Sequence, residues 1–313
     1  VMVKPVLKWA GGKRQLLEEI YGRFPADFDR YHEPFLGGGA VFFDLEPDDA
    51  TVNDTNPRLA NFYRVVRDRP DELIARLREF DDPEADPDPD RAFAEENWKG
   101  NAVEQYFYQQ RARFNRRAYA DEEWPATGAD RVEEAALLLY LNRTCYNGLY
   151  RENSGGGFNV PIGRYADPEW VMADRVRAAS RALADTDVRN ADFAYVLDAA
   201  DEGDLVYLDP PYEPMSATAN FAEYSAEGFG REDQERLLET VEELDEKGVY
   251  FVLSNSGVMY EPYDDAGFRV EKEGATRSIN SDETARGEVD EIVATNVSEA
   301  DRAERGQASF ADF

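Results

Sequence analysis

The sequence predicts an α/β fold, a sheet covered by helices on both faces and interrupted by a mostly helical insertion. Three observations carry this. Residues 29–60 read as strand, glycine turn, helix, strand and helix; apolar strands alternating with helices resume after about residue 170; and the stretch between them has helical spacing only. Short apolar strands alternating with helices imply a sheet buried on both faces.

The elements follow in order. An amphipathic helix is expected after Lys13, then a strand from Tyr31 to Phe35 leading into Gly37, Gly38 and Gly39, and a second short strand from Thr51 to Asp54. Between about 60 and 170, Val103, Tyr106, Phe107 and Phe114 recur at helical spacing. The acidic run from Asp81 to Asp90 contains three prolines and reads as a solvated loop. After 170 come a helix, a strand Leu205–Leu208, a helix Glu232–Lys247, a strand Val249–Leu253, and strands near Phe268–Glu271 and Val289–Ala294. One α/β domain, residues 1–58 and 172–313, is thus expected to be split by an insertion, residues 59–171. There are no internal repeats.

Composition limits the partners and the setting. A chain of 313 residues with 42% hydrophobic and 12% aromatic content can bury a sizeable core. Its 66 acidic against 35 basic residues give a net charge of -31, which opposes a polyanionic partner. The acids, however, are spread along the chain and only six of the basic residues are lysine. A dispersed acidic shell is the composition of halophilic proteins, whose self-repulsion concentrated salt screens, so the charge is read as describing the solvent. A lone cysteine, Cys145, excludes an internal disulfide and points to the cytoplasm. The longest strongly apolar stretch, Ala135–Leu141, is too short for a membrane span, and lysines and Arg14 interrupt the N-terminal region before a signal peptide could form.

The sharpest chemical signal is Asp209-Pro210-Pro211-Tyr212, directly after the strand Leu205–Leu208. Ligands of open α/β sheets sit beyond the carboxyl ends of strands, and two prolines stiffen the turn there. An exocyclic amine is a poor nucleophile because its lone pair is delocalised. Accepting hydrogen bonds from both its protons, by Asp209 and the Pro210 carbonyl, would localise that pair, and Tyr212 would stack on the base. Upstream, Glu33–Ala40 follows a strand and opens a helix, with Phe35, Gly37 and Gly39 placed to approach a ligand near the helix N-terminus. Asp54 ends the next strand, where such folds place an acid on ribose hydroxyls; the alternative is a turn or cap ahead of Asn56-Pro57. Lys8-Trp9-Ala10-Gly11-Gly12-Lys13 lacks the spacing of a phosphate loop and better suits the carboxylate of an amino-acid moiety, with Lys13 as the point charge.

These blocks, in this order, resemble the Dam-like DNA adenine-N6 methyltransferases of the D12 class. The resemblance covers nearly the whole chain, through KWAGGK, EPFLGGGA, NDTN, YLNRTCYNGLYRENSGGGFNVPIGRY, VYLDPPYEPMSATANF, LSNS and RSIN, followed by VDEIVATN. It implies a Rossmann-like methyltransferase sheet with a helical DNA-recognition domain inserted, S-adenosylmethionine as methyl donor and no metal. It also implies double-stranded DNA as partner, no membrane, and a monomer when acting. By position, Trp9, Lys13, Asp54 and Asp209 would bind the cofactor, with Asp192 and Phe193 near its adenine.

The insertion carries its own signals. Between Lys99 and Tyr119 five positive side chains, among them Arg116, face one negative, which reverses the global sign; the alternative is a solvated helix face. Arg143, Tyr146, Asn147, Arg151, Arg164 and Tyr165 alternate guanidinium groups with polar and aromatic ones, as base-edge and stacking contacts require. The resemblance makes Tyr146 and Asn147 candidates for insertion beside a flipped adenine, and Arg151, Pro161, Arg164 and Tyr165 candidates for DNA contact within GATC. Ala166 departs from the family pattern, where a basic residue commonly follows Arg-Tyr. His32 and Cys145 are read as packing groups, because methyl transfer to an amine needs neither a covalent intermediate nor a strong base. Cytosine-N4 or RNA methylation, a restriction-partnered enzyme with another site, and an inactive DNA-binding relative remain as alternatives. Asp rather than Ser at 209 favours adenine, and Lys13, Asp54 and Asp209 together favour activity.

Overall fold

The computed structural model describes residues 3–9, 11, 13, 16–81, 101–117, 127–211, 229–275 and 289–302. They form two compact units, one made of Val1–Lys13, Gly37–Glu46 and Asn56–Val188, the other of Arg14–Leu36, Pro47–Thr55 and Arg189–Phe313.

The second unit carries the sheet. Strands β1 (Tyr31–Glu33), β2 (Ala50–Asn53) and β4 (Leu205–Leu208) are buried along their whole length, as strands covered on both faces must be. β1 pairs parallel with β2 and with β4, and β4 pairs parallel with β5 (Tyr250–Ser256). Strands β6 (Arg269–Ala275) and β7 (Val289–Thr295) pair antiparallel, and β7 lies antiparallel against β5. With β3 (Thr186–Arg189) at the edge, on which the chain passes from one unit to the other, the order is β3-β2-β1-β4-β5-β7-β6. β1 ends sooner than expected, because Pro34 has no N–H to continue the ladder. β5 runs past Leu253 through Ser254, Asn255 and Ser256, all buried. β3 was not expected at all.

Among the described residues, three short helices and one long one belong to this unit. They are α1 (Leu17–Tyr21), α8 (Val196–Ala199), α10 (Tyr260–Asp265) and, longest, α9 (Arg231–Glu246). Helix α9 opens with Glu232 and Asp233, whose charges suit the helix N-terminus, and the Asp233 carboxylate accepts from Gly230 N–H at 3.0 Å. It buries Leu237, Val241 and Leu244, one face at helical spacing, against Val206, Leu208, Phe251 and Leu253 of the sheet. His32 is fully buried in β1 with Nε2 3.1 Å from Asp204. Burial lowers its pKa despite the carboxylate, so it is a neutral scaffold group.

The first unit is helical: α2 (Ala40–Leu45), α3 (Pro57–Asp68), α4 (Pro70–Glu79), α5 (Ala102–Arg117), α6 (Gly128–Thr144) and α7 (Ala173–Ala182). Asn56 caps α3 by accepting from Arg58 N–H at 3.0 Å, and Pro57 takes the first helical position, where no N–H is needed. α6 is the hub, buried from Glu134 to Asn142 and packed on α3, α4 and α5. Within it Glu134 pairs with Arg58 at 3.0 Å, both almost wholly buried, and the Arg58 guanidinium lies 3.5 Å over the Phe114 ring of α5. On α5, Tyr106, Phe107 and Phe114 are buried as their spacing predicts, whereas Val103 is exposed. Of the expected acidic loop, residues 82–90 lie outside the described residues. Among the described residues no helix is long and apolar enough to cross a membrane.

Candidate functional site

In the second unit the carboxyl ends of β1, β2 and β4 converge at one end of the sheet. Asn53, the last residue of β2 and fully buried, ties the neighbouring loops together. Its Nδ2 donates to the carbonyls of Pro34 and Ala191 at 3.0 Å each, and its Oδ1 accepts from Ala191 N–H at 2.8 Å. Leu36 N–H donates to the Asn53 carbonyl at 2.9 Å. Asn190 Nδ2 donates to the carbonyls of Asp54 and Thr55, at 2.8 and 3.1 Å. Asp54 therefore stands on a backbone held rigidly against the 190–192 turn, a half-buried acid beyond a strand end. Asp209 is half-buried just past β4, with Pro210 buried behind it.

An aromatic cluster lies at the same end of the sheet. Phe35 stacks on Phe193 at 5.4 Å and 30°, and Phe229 meets both rings at 5.6 and 5.7 Å. Beside Phe193, the Asp192 carboxylate accepts from Ala194 N–H at 3.0 Å and from Arg236 at 2.8 Å. Partial burial acts to raise the Asp192 pKa, but those two donors bring it below the usual carboxylate range.

In the first unit the N-terminal segment lies over the glycine run. A Cβ on Gly37 would stand 2.9 Å from Trp9 Cδ1, and one on Gly38 would stand 2.9 Å from Trp9 Cβ; Gly37 and Gly39 also have φ of +49° and +68°. Only glycine satisfies both demands at position 37. Trp9 stacks on Tyr150 at 5.2 Å and 26°. The preceding residue is clamped by Asn142, which is buried: it accepts from Lys8 N–H at 2.8 Å and donates to the Lys8 carbonyl at 2.7 Å and the Gly148 carbonyl at 3.0 Å. Lys13 is buried.

The DNA-contact candidates gather on one folded turn of the same unit. Tyr146 N–H donates to the Pro161 carbonyl and Gly163 N–H to the Thr144 carbonyl, both at 2.8 Å, so residues 144–146 and 161–163 run side by side. Tyr146, Asn147, Arg151, Pro161, Arg164 and Tyr165 are all exposed, and Asn147 holds a left-handed φ of +54°. Lys8 Nζ lies 4.5 Å over the Tyr165 ring. A ribbon from Arg151 to Asn159 is anchored by buried Phe158, whose N–H and carbonyl both bond Asn115 of α5, at 2.8 and 3.0 Å. Arg151 Nε donates to Asn159 Oδ1 at 2.7 Å, which steadies its guanidinium at the surface. Arg143 is half-buried and donates to the Glu169 carbonyl at 3.0 Å. In the basic stretch of α5, Arg116 is half-buried, Arg113 pairs with Glu133 at 3.0 Å and Arg111 donates to the Val160 carbonyl at 3.2 Å. Part of that local positive charge is thus compensated within the unit.

Tyr212 lies outside the described residues, so its stacking role has no geometry here. Cys145 is buried, and burial pushes its thiol up to about 11, far from nucleophilic. Among the described residues no group of three or more His, Cys, Asp or Glu is placed to hold a metal. Sequence reasoning missed Asn53, Asn142, Asn115, Phe229 and Arg236. Asn53 and Asn142 stood inside the NDTN and YLNR blocks, whereas the other three carry no motif.

A family model for D12 class N6 adenine-specific DNA methyltransferases matches residues 9–279. The type II methyltransferase M1.LlaDCHI of Lactococcus lactis subsp. cremoris is 38% identical over 300 residues, 95% of this chain and 96% of its own. The DNA adenine methylase of Escherichia coli K12 is 37% identical over 295 residues, 92% of this chain and 93% of its own. The type II methyltransferase M.MjaIII of Methanocaldococcus jannaschii is 35% identical over 293 residues, 89% and 93% of the two chains. With a family model spanning most of its length and relatives this similar aligned almost end to end, the chain belongs to the D12 class of N6 adenine-specific DNA methyltransferases.

Proposed function

We propose that this adenine methyltransferase takes its methyl group from S-adenosylmethionine and delivers it to an adenine rotated out of duplex DNA within GATC. The observation that carries the chemistry is Asp209, half-buried beyond β4, with the buried Pro210 fixing the backbone beside it. A carboxylate and a carbonyl held together there accept from both protons of the target amine and leave its lone pair free to attack. Extrusion of the base is required because N6 cannot be reached productively inside the stack. Tyr212 is the residue proposed to stack on it.

The residues present suit the donor. Phe35 and Phe193 with Asp192 beside them fit a purine bearing an amine, Asp54 fits ribose hydroxyls, and Asp209 adjoins the reacting group. Trp9 over Gly37, with Gly39 and Lys13, is proposed for the remaining part of the molecule, Lys13 taking its carboxylate. S-adenosylmethionine supplies an electrophilic sulfonium methyl; everything else is positioning by the chain. Residues 1–58 and 172–313 are proposed as the catalytic domain and 59–171 as the DNA-recognition domain. In it Arg116, Arg143, Pro161, Arg164 and Tyr165 contact DNA, and Tyr146 and Asn147 fill the gap left by the adenine. Arg151, steadied by Asn159, reads guanine. The enzyme is proposed to act as a monomer in the cytoplasm.

A second reading, a restriction-partnered enzyme with another site, is favoured by the two relatives named as type II methyltransferases. One experiment separates the two: a plasmid methylated by the purified protein, with N6-methyladenine mapped by single-molecule sequencing. Modification at GATC is expected, and Arg151→Ala should weaken discrimination at one guanine by about 1–3 kcal/mol. Modification confined to a different motif overturns the GATC assignment.

A further inference from the structure

We propose that Arg236 is a positioning residue for nucleoside recognition: it fixes the Asp192 carboxylate so that this group accepts a hydrogen bond from the exocyclic amine of the donor's adenine and rejects a purine with a carbonyl there. The inference rests on the reading of S-adenosylmethionine as the donor and gives that reading a residue which no motif marks.

The geometry starts from one oxygen. Asp192 Oδ1 accepts both from Arg236 Nη2 at 2.8 Å and from Ala194 N–H at 3.0 Å. Two donors on one oxygen fix the plane of the carboxylate and direct its other oxygen. Arg236 is itself held from two further sides. Its guanidinium lies 4.9 Å over the face of Phe193, and Nη1 is 3.4 Å from Asp233 in the first turn of α9. Phe193 is the buried centre of the Phe35–Phe193–Phe229 cluster, so the arginine registers the acid against the same rings proposed to receive the base.

Stability does not explain this arrangement. The Asp192 and Arg236 side chains are 54% and 47% exposed, and exposed pairs contribute about 0–1 kcal/mol. Recognition does explain it. An ionised carboxylate is purely an acceptor, matching an amine and repelling a carbonyl oxygen at the same place. Asp192 is ionised at neutral pH, as an ordinary aspartate is, and its two donors favour that form further, the one this selection needs.

The test compares binding of S-adenosylhomocysteine and its deaminated analogue S-inosylhomocysteine, by calorimetry, to the wild type, Arg236→Ala, Arg236→Lys, Asp192→Ala and the double variant. The wild type should prefer the adenosine compound by about tenfold, the worth of one hydrogen bond to a charged group. Arg236→Ala should reduce that preference to about threefold or less with an unchanged melting temperature, Arg236→Lys should restore part of it, and the arginine change should add nothing in the Asp192→Ala background. A wild-type preference retained by Arg236→Ala, or an equal loss for both compounds, overturns the proposal. A wild type that binds neither compound overturns the donor assignment and the proposal with it, whereas binding of both without preference overturns the proposal alone.

Discussion

Asp209 sits one residue beyond β4, and its carboxylate is proposed to act on the target amine, not on phosphates. Asp209→Ala should therefore lower methyl transfer by at least about 10²–10³-fold, the cost of removing a preorganised electrostatic group, while a gel-shift assay finds DNA binding within about twofold of wild type. Near-normal turnover would remove the central assignment. Asp209 was legible because it belongs to a four-residue motif at a strand end. Arg236 was not, because its partner Asp192 lies 44 residues away in the chain and neither residue predicts the other. Asn53 and Asn142 show the intermediate case. Both stand in recognisable blocks, yet their work as clamps on Ala191 and Lys8 depends on partners 138 and 134 residues distant.

Elements were legible to the extent that their burial pattern is local. β4, β5 and α9 announce themselves through runs or faces of apolar residues, and they fall within a few residues of the expected bounds. β3 escaped because Thr186–Arg189 alternates buried and exposed positions over only four residues with Val188 as its one aliphatic. The tail of β5 escaped because Ser254, Asn255 and Ser256 are polar and yet buried. Their hydrogen bonds explain this: Asn255 donates to Gln234 at 2.9 Å, and the Ser254 and Tyr207 hydroxyls are 3.3 Å apart. Helix α6 gives the most direct test at this scale. Its Glu134 faces Arg58 of α3 in a region with almost no solvent, so Glu134→Ala leaves a buried charge uncompensated and should destabilise the protein by about 3–5 kcal/mol. Urea denaturation of the variant measures it, and a loss under 1 kcal/mol would show that α3 and α6 do not depend on the pair.

At the scale of the whole molecule the governing quantity is a net charge of -31. Screening length falls to about 3 Å in molar salt, so the melting temperature should rise with potassium chloride up to molar concentration, and methylation should persist there. DNA binding under those conditions is proposed to lean on stacking by Tyr146 and Tyr165, both exposed, since phosphate affinity declines steeply with salt. An enzyme most stable in dilute buffer and inactive in molar salt would contradict this. The sheet itself has a consequence measured in time. His32 of β1 and its partner Asp204, just ahead of β4, are separated by 172 residues. A ribosome adding about 5–20 residues per second needs roughly 9–35 s to bridge that gap. Throughout that interval the newborn β1 lacks the neighbour that closes its β4-facing edge. Yield in a foreign host should accordingly follow the pace of translation and the supply of holding chaperones across residues 56–188 more closely than it follows the stability of the finished enzyme.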